Sequence, residues 1–73
     1  MTHRRYTIVI EKGPKSFGAF VPDLPGCVAV AKTRPAVVKL IREAVELHVE
    51  DLQTQGIPLP RAAAVADTIE VAV

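Results

Sequence analysis

Alternation sets in early. Between residues 5 and 11, Tyr6, Ile8 and Ile10 share one face, while Thr7, Val9 and Glu11 share the other, a period of two that predicts a half-buried strand. Lys12-Gly13-Pro14-Lys15-Ser16 is polar and carries two breakers, so it reads as a hairpin loop. A second apolar run covers residues 17–21. Gly18 inside it hints at a bulge or a close backbone approach. Leu24-Pro25-Gly26-Cys27 then predicts a type II turn, with Pro25 setting φ and Gly26 supplying the positive φ that follows. Residues 27–32 give a third strand, so the first half of the chain predicts an antiparallel meander.

At Thr33 the period changes. Thr33 is a plausible N-cap, and Pro35 lies in the first turn, where its missing N–H costs nothing. No breaker follows until Gly56, a ready C′ residue with Pro58 behind it, which predicts a helix from residue 34 to about 55. On a wheel of about 100° per residue, Leu47, Leu40, Ala44, Val37, Ile41, Leu52, Val45, Val38 and Val49 fill an arc of roughly 200°, interrupted only by His48 and Asp51. One sheet face covers a stripe of little more than ~100°. The surplus calls for a second partner, and Val38, Val45, Val49 and Leu52 are the candidate oligomer interface. Ile57-Pro58-Leu59-Pro60 is extended, since residues before proline leave the helical region. Residues 61–66 are ambiguous, because the alanines favour a helix that is too short to hold alone. Residues 67–73 alternate again, with Ile69, Val71 and Val73 on one face, and predict a fourth strand. The expected fold is therefore α+β, a β-β-β-α-β unit of two layers with one long helix on one face of a mainly antiparallel sheet.

Composition narrows the function classes. Seventy-three residues make one expected domain, 1–73, near the lower limit for a self-sufficient core, which favours self-association. The single cysteine excludes an internal disulfide, and His3 and His48 are too far apart in sequence to form a metal-ligand motif. A net charge of +1 and only three aromatic residues argue against a general nucleic-acid binder. His3, Arg4 and Arg5 form a basic start with no apolar region behind it, and no apolar run is long enough for a membrane span. A cytoplasmic protein is the expectation.

The helix charges run against its macrodipole. Lys39 and Arg42 lie in the first half, and Glu46, Glu50 and Asp51 crowd the second. This reads as a solvated face or as an acidic patch for a basic partner. His48 reads as a buried neutral histidine with one hydrogen bond rather than a base or ligand. Cys27 reads as a small inert apolar residue, and Asp23 as the cap of its own turn. No glycine-rich phosphate loop, serine elbow or paired-carboxylate motif is present.

The strand Tyr6-Thr7-Ile8-Val9-Ile10, the run Phe20-Val21-Pro22-Asp23-Leu24-Pro25-Gly26-Cys27, the helix end Glu43-Ala44-Val45-Glu46-Leu47-His48-Val49-Glu50-Asp51-Leu52 and the exit Gly56-Ile57-Pro58-Leu59-Pro60 together resemble the HicB-like antitoxin family over nearly the whole chain. The resemblance implies a unit similar to part of the ribonuclease H fold, with the fourth strand parallel to the first after a right-handed crossover. It implies homodimers or homotetramers, and binding to a HicA-type toxin, a small basic mRNA-cleaving protein whose active site the antitoxin blocks. Many members add a C-terminal DNA-binding segment. This sequence ends at Val73 after the expected fourth strand, so direct DNA binding is not carried over. Catalysis is not expected either. Metal-dependent cleavage needs carboxylates converging on the ions, and a ribonuclease H-type site, which the resemblance brings in, would draw one from inside the first strand, where residues 6–10 supply none. No metal or cofactor is expected. The reading is a non-enzymatic antitoxin that contacts its toxin through Asp23, Glu46, Glu50 and Asp51. The alternative is a stand-alone homo-oligomer with no toxin.

Overall fold

The computed structural model describes residues 3–73. Its elements are β1 (Val9–Lys12), β2 (Phe17–Phe20), β3 (Val28–Ala31) and α1 (Arg34–Thr54). The strands form one antiparallel sheet in the order β1-β2-β3, with Ile10, Ala19 and Ala29 in register across it. Those three, with Phe17 and Ala31, face the helix. Val9, Phe20 and Val28 share the opposite face, because directly paired residues point the same way. Gly18 pairs regularly with Glu11 and Val30, so it marks no bulge.

Both tight connections close as their residues dictate. The amide of Gly13 donates to the Ser16 carbonyl at 2.7 Å, joining β1 to β2. Between β2 and β3 two turns follow one another: Leu24 N–H donates to Val21 C=O, and Cys27 N–H donates to Leu24 C=O, both at 3.1 Å. Gly26 sits at φ +83°, the value that the third position of a type II turn demands. This geometry drives Leu24 inward, where it is fully buried against Val37 and Ile41 of the helix. Ala19, Val21 and Cys27 complete the buried core.

The helix ends are set locally. Thr33 is extended, and its hydroxyl accepts from the Ala36 amide at 3.2 Å. At the other end Gly56 takes φ +70°. Its N–H donates to Gln53 C=O, and Ile57 N–H donates to Leu52 C=O, the paired bonds of a Schellman motif. The first turn carries no acid and the last no base, so the inverted charge order is real. The helix lies over β3 and β2 and not over β1.

Two expectations about the sheet change. Residues 5–8 lie outside the ladder, which begins at Val9. Val9 pairs with Phe20, and β2 leaves the sheet one residue later, so Thr7 and Ile8 have no strand to meet. The expected fourth strand is the larger difference. Residues 67–73 form no ladder and are exposed throughout. The segment before them is held by side chains instead of a backbone ladder. Tyr6 Oη donates to Pro60 C=O at 2.7 Å, Thr7 Oγ1 to Ala64 C=O at 2.8 Å, and the Arg4 guanidinium to the carbonyls of Leu59 and Pro60 at 3.3 Å. The chain beyond Ala64 projects outward. The radius of gyration is 14.1 Å, against about 11 Å for a compact chain of this length.

Candidate partner-binding surface

The wheel put an apolar arc of about 200° on the helix, and the structure divides it into three parts. Its centre, Val37 and Ile41, is buried. One rim, Val38, Val45, Val49 and Leu52, is half-buried. The other rim, Leu40 and Leu47, is 42% and 68% exposed. The division follows from where the helix sits. The valine rim faces the extended N-terminal segment, while Leu47 and Ala44 border Val28 at the open edge of β3.

Between the valine rim and the N-terminal segment runs a groove. One end, about 670 Å³, is walled by Ile8, Val38, Arg42 and Val45, and the other, about 830 Å³, by Val49, Glu50, Gln53 and Leu59. His3, Arg4, Tyr6, Val45 and Glu46 belong to both. The floor is apolar, with the Glu46 and Glu50 carboxylates and the Arg42 guanidinium on the helix side and the Arg4 and Arg5 guanidinium groups on the facing segment. An apolar floor within a charged rim is the usual anatomy of a protein interface.

The structure gathers some of the expected contact residues and separates others. Glu46 and Glu50, one helical turn apart, are both exposed at the groove. Asp51 lies about 100° further round the helix, beside Gly26, Cys27 and His48, and its carboxylate accepts from Gln55 Nε2 at 3.0 Å. Asp23 is elsewhere again. Instead of capping its own turn, its carboxylate accepts from the Ala63 and Ala64 amides at 3.1 and 2.9 Å. His48 is half-buried rather than buried, in an open hollow. Cys27 is buried, and burial raises its thiol pKa above the ordinary value. Among the described residues no three His, Cys, Asp or Glu side chains come together as metal ligands, and no helix is long and apolar enough to cross a membrane.

Sequence reasoning missed Arg4, Tyr6 and Leu59 as parts of the groove. Their signal is tertiary, since Arg4 and Tyr6 bind carbonyls more than fifty residues away.

Residues 6–72 match the family described as HicB_like antitoxin of bacterial toxin-antitoxin system. A UPF0150 protein of Helicobacter pylori is 38% identical over 65 residues, spanning 88% of this chain and 90% of that one. A UPF0150 protein of Thermoplasma acidophilum is 33% identical over 58 residues, spanning 78% and 84%. Among solved structures, a chain of a HicA3 and HicB3 toxin-antitoxin complex superposes with a TM-score of 0.65 at 34% identity, covering 85% of this chain and 70% of its own. The meander, the Pro-Asp-Leu-Pro-Gly-Cys turn and the single long helix thus place this chain in the HicB-like antitoxin family.

Proposed function

We propose that this chain is an antitoxin that neutralises a HicA-type toxin by binding alone. The toxin's basic surface lies against the groove between α1 and residues 3–8. The valines and Tyr6 give apolar contact, and Glu46 and Glu50 pair with cationic toxin residues, so the active site is covered without any reaction. The observation that carries this reading is the apolar groove bordered by two adjacent helix carboxylates, in a chain whose solved relative comes from a toxin-antitoxin complex. Opposite charge across such a rim speeds encounter and selects the partner more than it deepens affinity. The acids in the helix's last half, unfavourable for the macrodipole by ~0.3–1 kcal/mol each, then have a use that outweighs their cost.

Titration of the HicA-type toxin against the wild type and the Glu46→Lys/Glu50→Lys double variant tests this. The variant is expected to bind about tenfold or more weakly, an effect of ~1.4 kcal/mol per decade, with a shallower salt dependence. Equal affinity and an equal salt slope in the variant would remove the groove as the toxin site. Absence of any complex with the wild type would remove the antitoxin reading itself.

A further inference from the structure

A net charge of +1 conceals an uneven distribution. The chain carries nine basic and eight acidic residues, yet folding brings arginines from distant stretches together. Arg4 and Arg5 meet Arg61, which follows the Leu59-Pro60 exit from the helix, around an open hollow of about 540 Å³. Ala62 and Ala63 complete the lining, and no carboxylate belongs to it. Arg42 of α1 stands across the same two N-terminal arginines, in the adjoining end of the valine groove. All four arginines are exposed.

Bonds between distant segments hold the hollow in shape. Arg4 donates through Nη1 to the Leu59 and Pro60 carbonyls at 3.3 Å, and Tyr6 Oη donates to the Pro60 carbonyl at 2.7 Å. Arg4 is thereby oriented, while its Nη2 and Nε groups take no part in these bonds. The acid that approaches this segment is Asp23, and its carboxylate accepts from the Ala63 and Ala64 amides. Three guanidinium groups against that one carboxylate leave the hollow positive. Solvent and salt screen the repulsion among the arginines, and an anion between them would remove it.

We infer that the hollow formed by Arg4, Arg5 and Arg61 binds a phosphate group. Guanidinium forks fit carboxylate and phosphate oxygens alike, and two features here favour phosphate. A carboxylate offers two oxygens, which one or two forks satisfy. Three forks suit a phosphate ester, with its further acceptor oxygens and greater charge. The rest of the lining is two alanines, which leave room for a tetrahedral group and give a peptide side chain little apolar surface. The phosphate is a monoester, as on a nucleotide, or a diester of a single-stranded nucleic acid. For a strand, Arg42 stands where a neighbouring phosphate would run. Such a site depends on local charge, so the small net charge does not oppose it. It requires no toxin and stands apart from the function proposed above.

Heteronuclear NMR of the full chain tests the site by following the arginine Nε–H groups and the Ala62 and Ala63 amides. The titrants are sodium phosphate, adenosine monophosphate, an oligouridylate without terminal phosphate, and sodium acetate, all at matched ionic strength. Phosphate is expected to shift the signals of Arg4, Arg5 and Arg61 saturably, and acetate is not. Arg5→Gln and Arg61→Gln, whose unchanged spectra elsewhere report an intact fold, should each weaken phosphate binding about three- to fivefold, the scale of an exposed ion pair. Lys39→Gln, outside the hollow, should leave binding unchanged. Tighter binding of the oligouridylate, with Arg42 shifting as well, assigns the diester. Tighter binding of adenosine monophosphate assigns the monoester. No saturable shift with any of the three phosphate compounds, an equal response to acetate, or undiminished binding in both arginine variants overturns the proposal. So does an equal loss in Lys39→Gln, which would mark unspecific attraction to charge.

Discussion

The Asp23 carboxylate accepts hydrogen bonds from the backbone amides of Ala63 and its neighbour Ala64, at 3.1 and 2.9 Å. One side chain in the β2–β3 turn thus anchors a segment forty residues later, fixing where the C-terminal end leaves the domain. Asp23→Ala is expected to cost about 1–2 kcal/mol, less than a fully buried charged acceptor would, because the site is only half-buried. Hydrogen exchange at Ala63 and Ala64 should accelerate, while exchange in β2 barely changes. Asp23→Asn keeps a carbonyl acceptor and should fall between. Unaltered exchange at both amides in Asp23→Ala would show that the anchor carries no weight.

Gly26 and Gly56 are the two positive-φ residues among those described. A Cβ built on either meets nothing within 4 Å, so any cost of substitution is conformational and not steric. Gly26→Ala and Gly56→Ala should each destabilise by about 1 kcal/mol or more, the penalty for an L-residue in the left-handed region. Gly18→Ala is the contrast. Its backbone is ordinary, and its nearest contact would be the Ala29 carbonyl at 4.0 Å. Urea midpoints of the three variants separate the cases, with Gly18→Ala neutral or slightly stabilising.

What was legible in the sequence was mostly local. Thr33, Gly56 and the Leu24-Pro25-Gly26-Cys27 turn act within four or five residues, and each took the conformation its chemistry requires. The alternation at residues 67–73 showed that the segment could be a strand, but alternation names no partner, and none pairs with it among the described residues. Tyr6 and Ile8 misled in the same way, because the strand they were to pair with turns off after Phe20. For the site, the wheel gave the width of the apolar arc. It could not give the offset of the helix toward β3, and that offset decides that Leu40 and Leu47 are left exposed while the valine rim is half-covered.

Cys27 is buried beside the turn, and desolvation raises its thiol pKa. The folded state therefore holds the thiol proton more tightly than the unfolded chain. The resulting stability is complete below the unfolded thiol value, ~8.5, and is lost as pH rises through the folded one. Alkylation of the folded protein at pH 8 should be much slower than in urea. Stability should decline above about pH 8.5, and Cys27→Ala should lose that part of the decline. Equal alkylation rates in the two states would contradict the burial.

Thr33 supplies the only side-chain acceptor seen in the first turn of α1, through the Ala36 amide, and that turn carries no acid to assist. Thr33→Ala should cost about 1 kcal/mol and lower the Tm by ~4–8 °C for a domain of this size. Thr33→Asp should match or exceed the wild type, because a carboxylate at this position caps the helix and also answers the inverted dipole. A thermal melt followed at the helix band reads both. A Tm unmoved by Thr33→Ala would mean that packing of Val37 alone fixes the helix start.

Leu24 is where turn geometry and core packing coincide. The consecutive turns place it, and Val37 and Ile41 enclose it at 0% exposure. Leu24→Ala should cost about 2–5 kcal/mol, the range for truncating a buried leucine. Small domains hold only ~5 kcal/mol or little more, so the variant should be largely unfolded near 37 °C. Leu24→Met, which conserves volume, should cost under ~1.5 kcal/mol. The pair matters because both variants leave the turn's own hydrogen bonds and Gly26 untouched. If Leu24→Ala unfolds the chain and Leu24→Met does not, the turn stabilises this fold chiefly by delivering one side chain to the core. If both are mild, the turn's backbone bonds carry the load and the core tolerates the cavity.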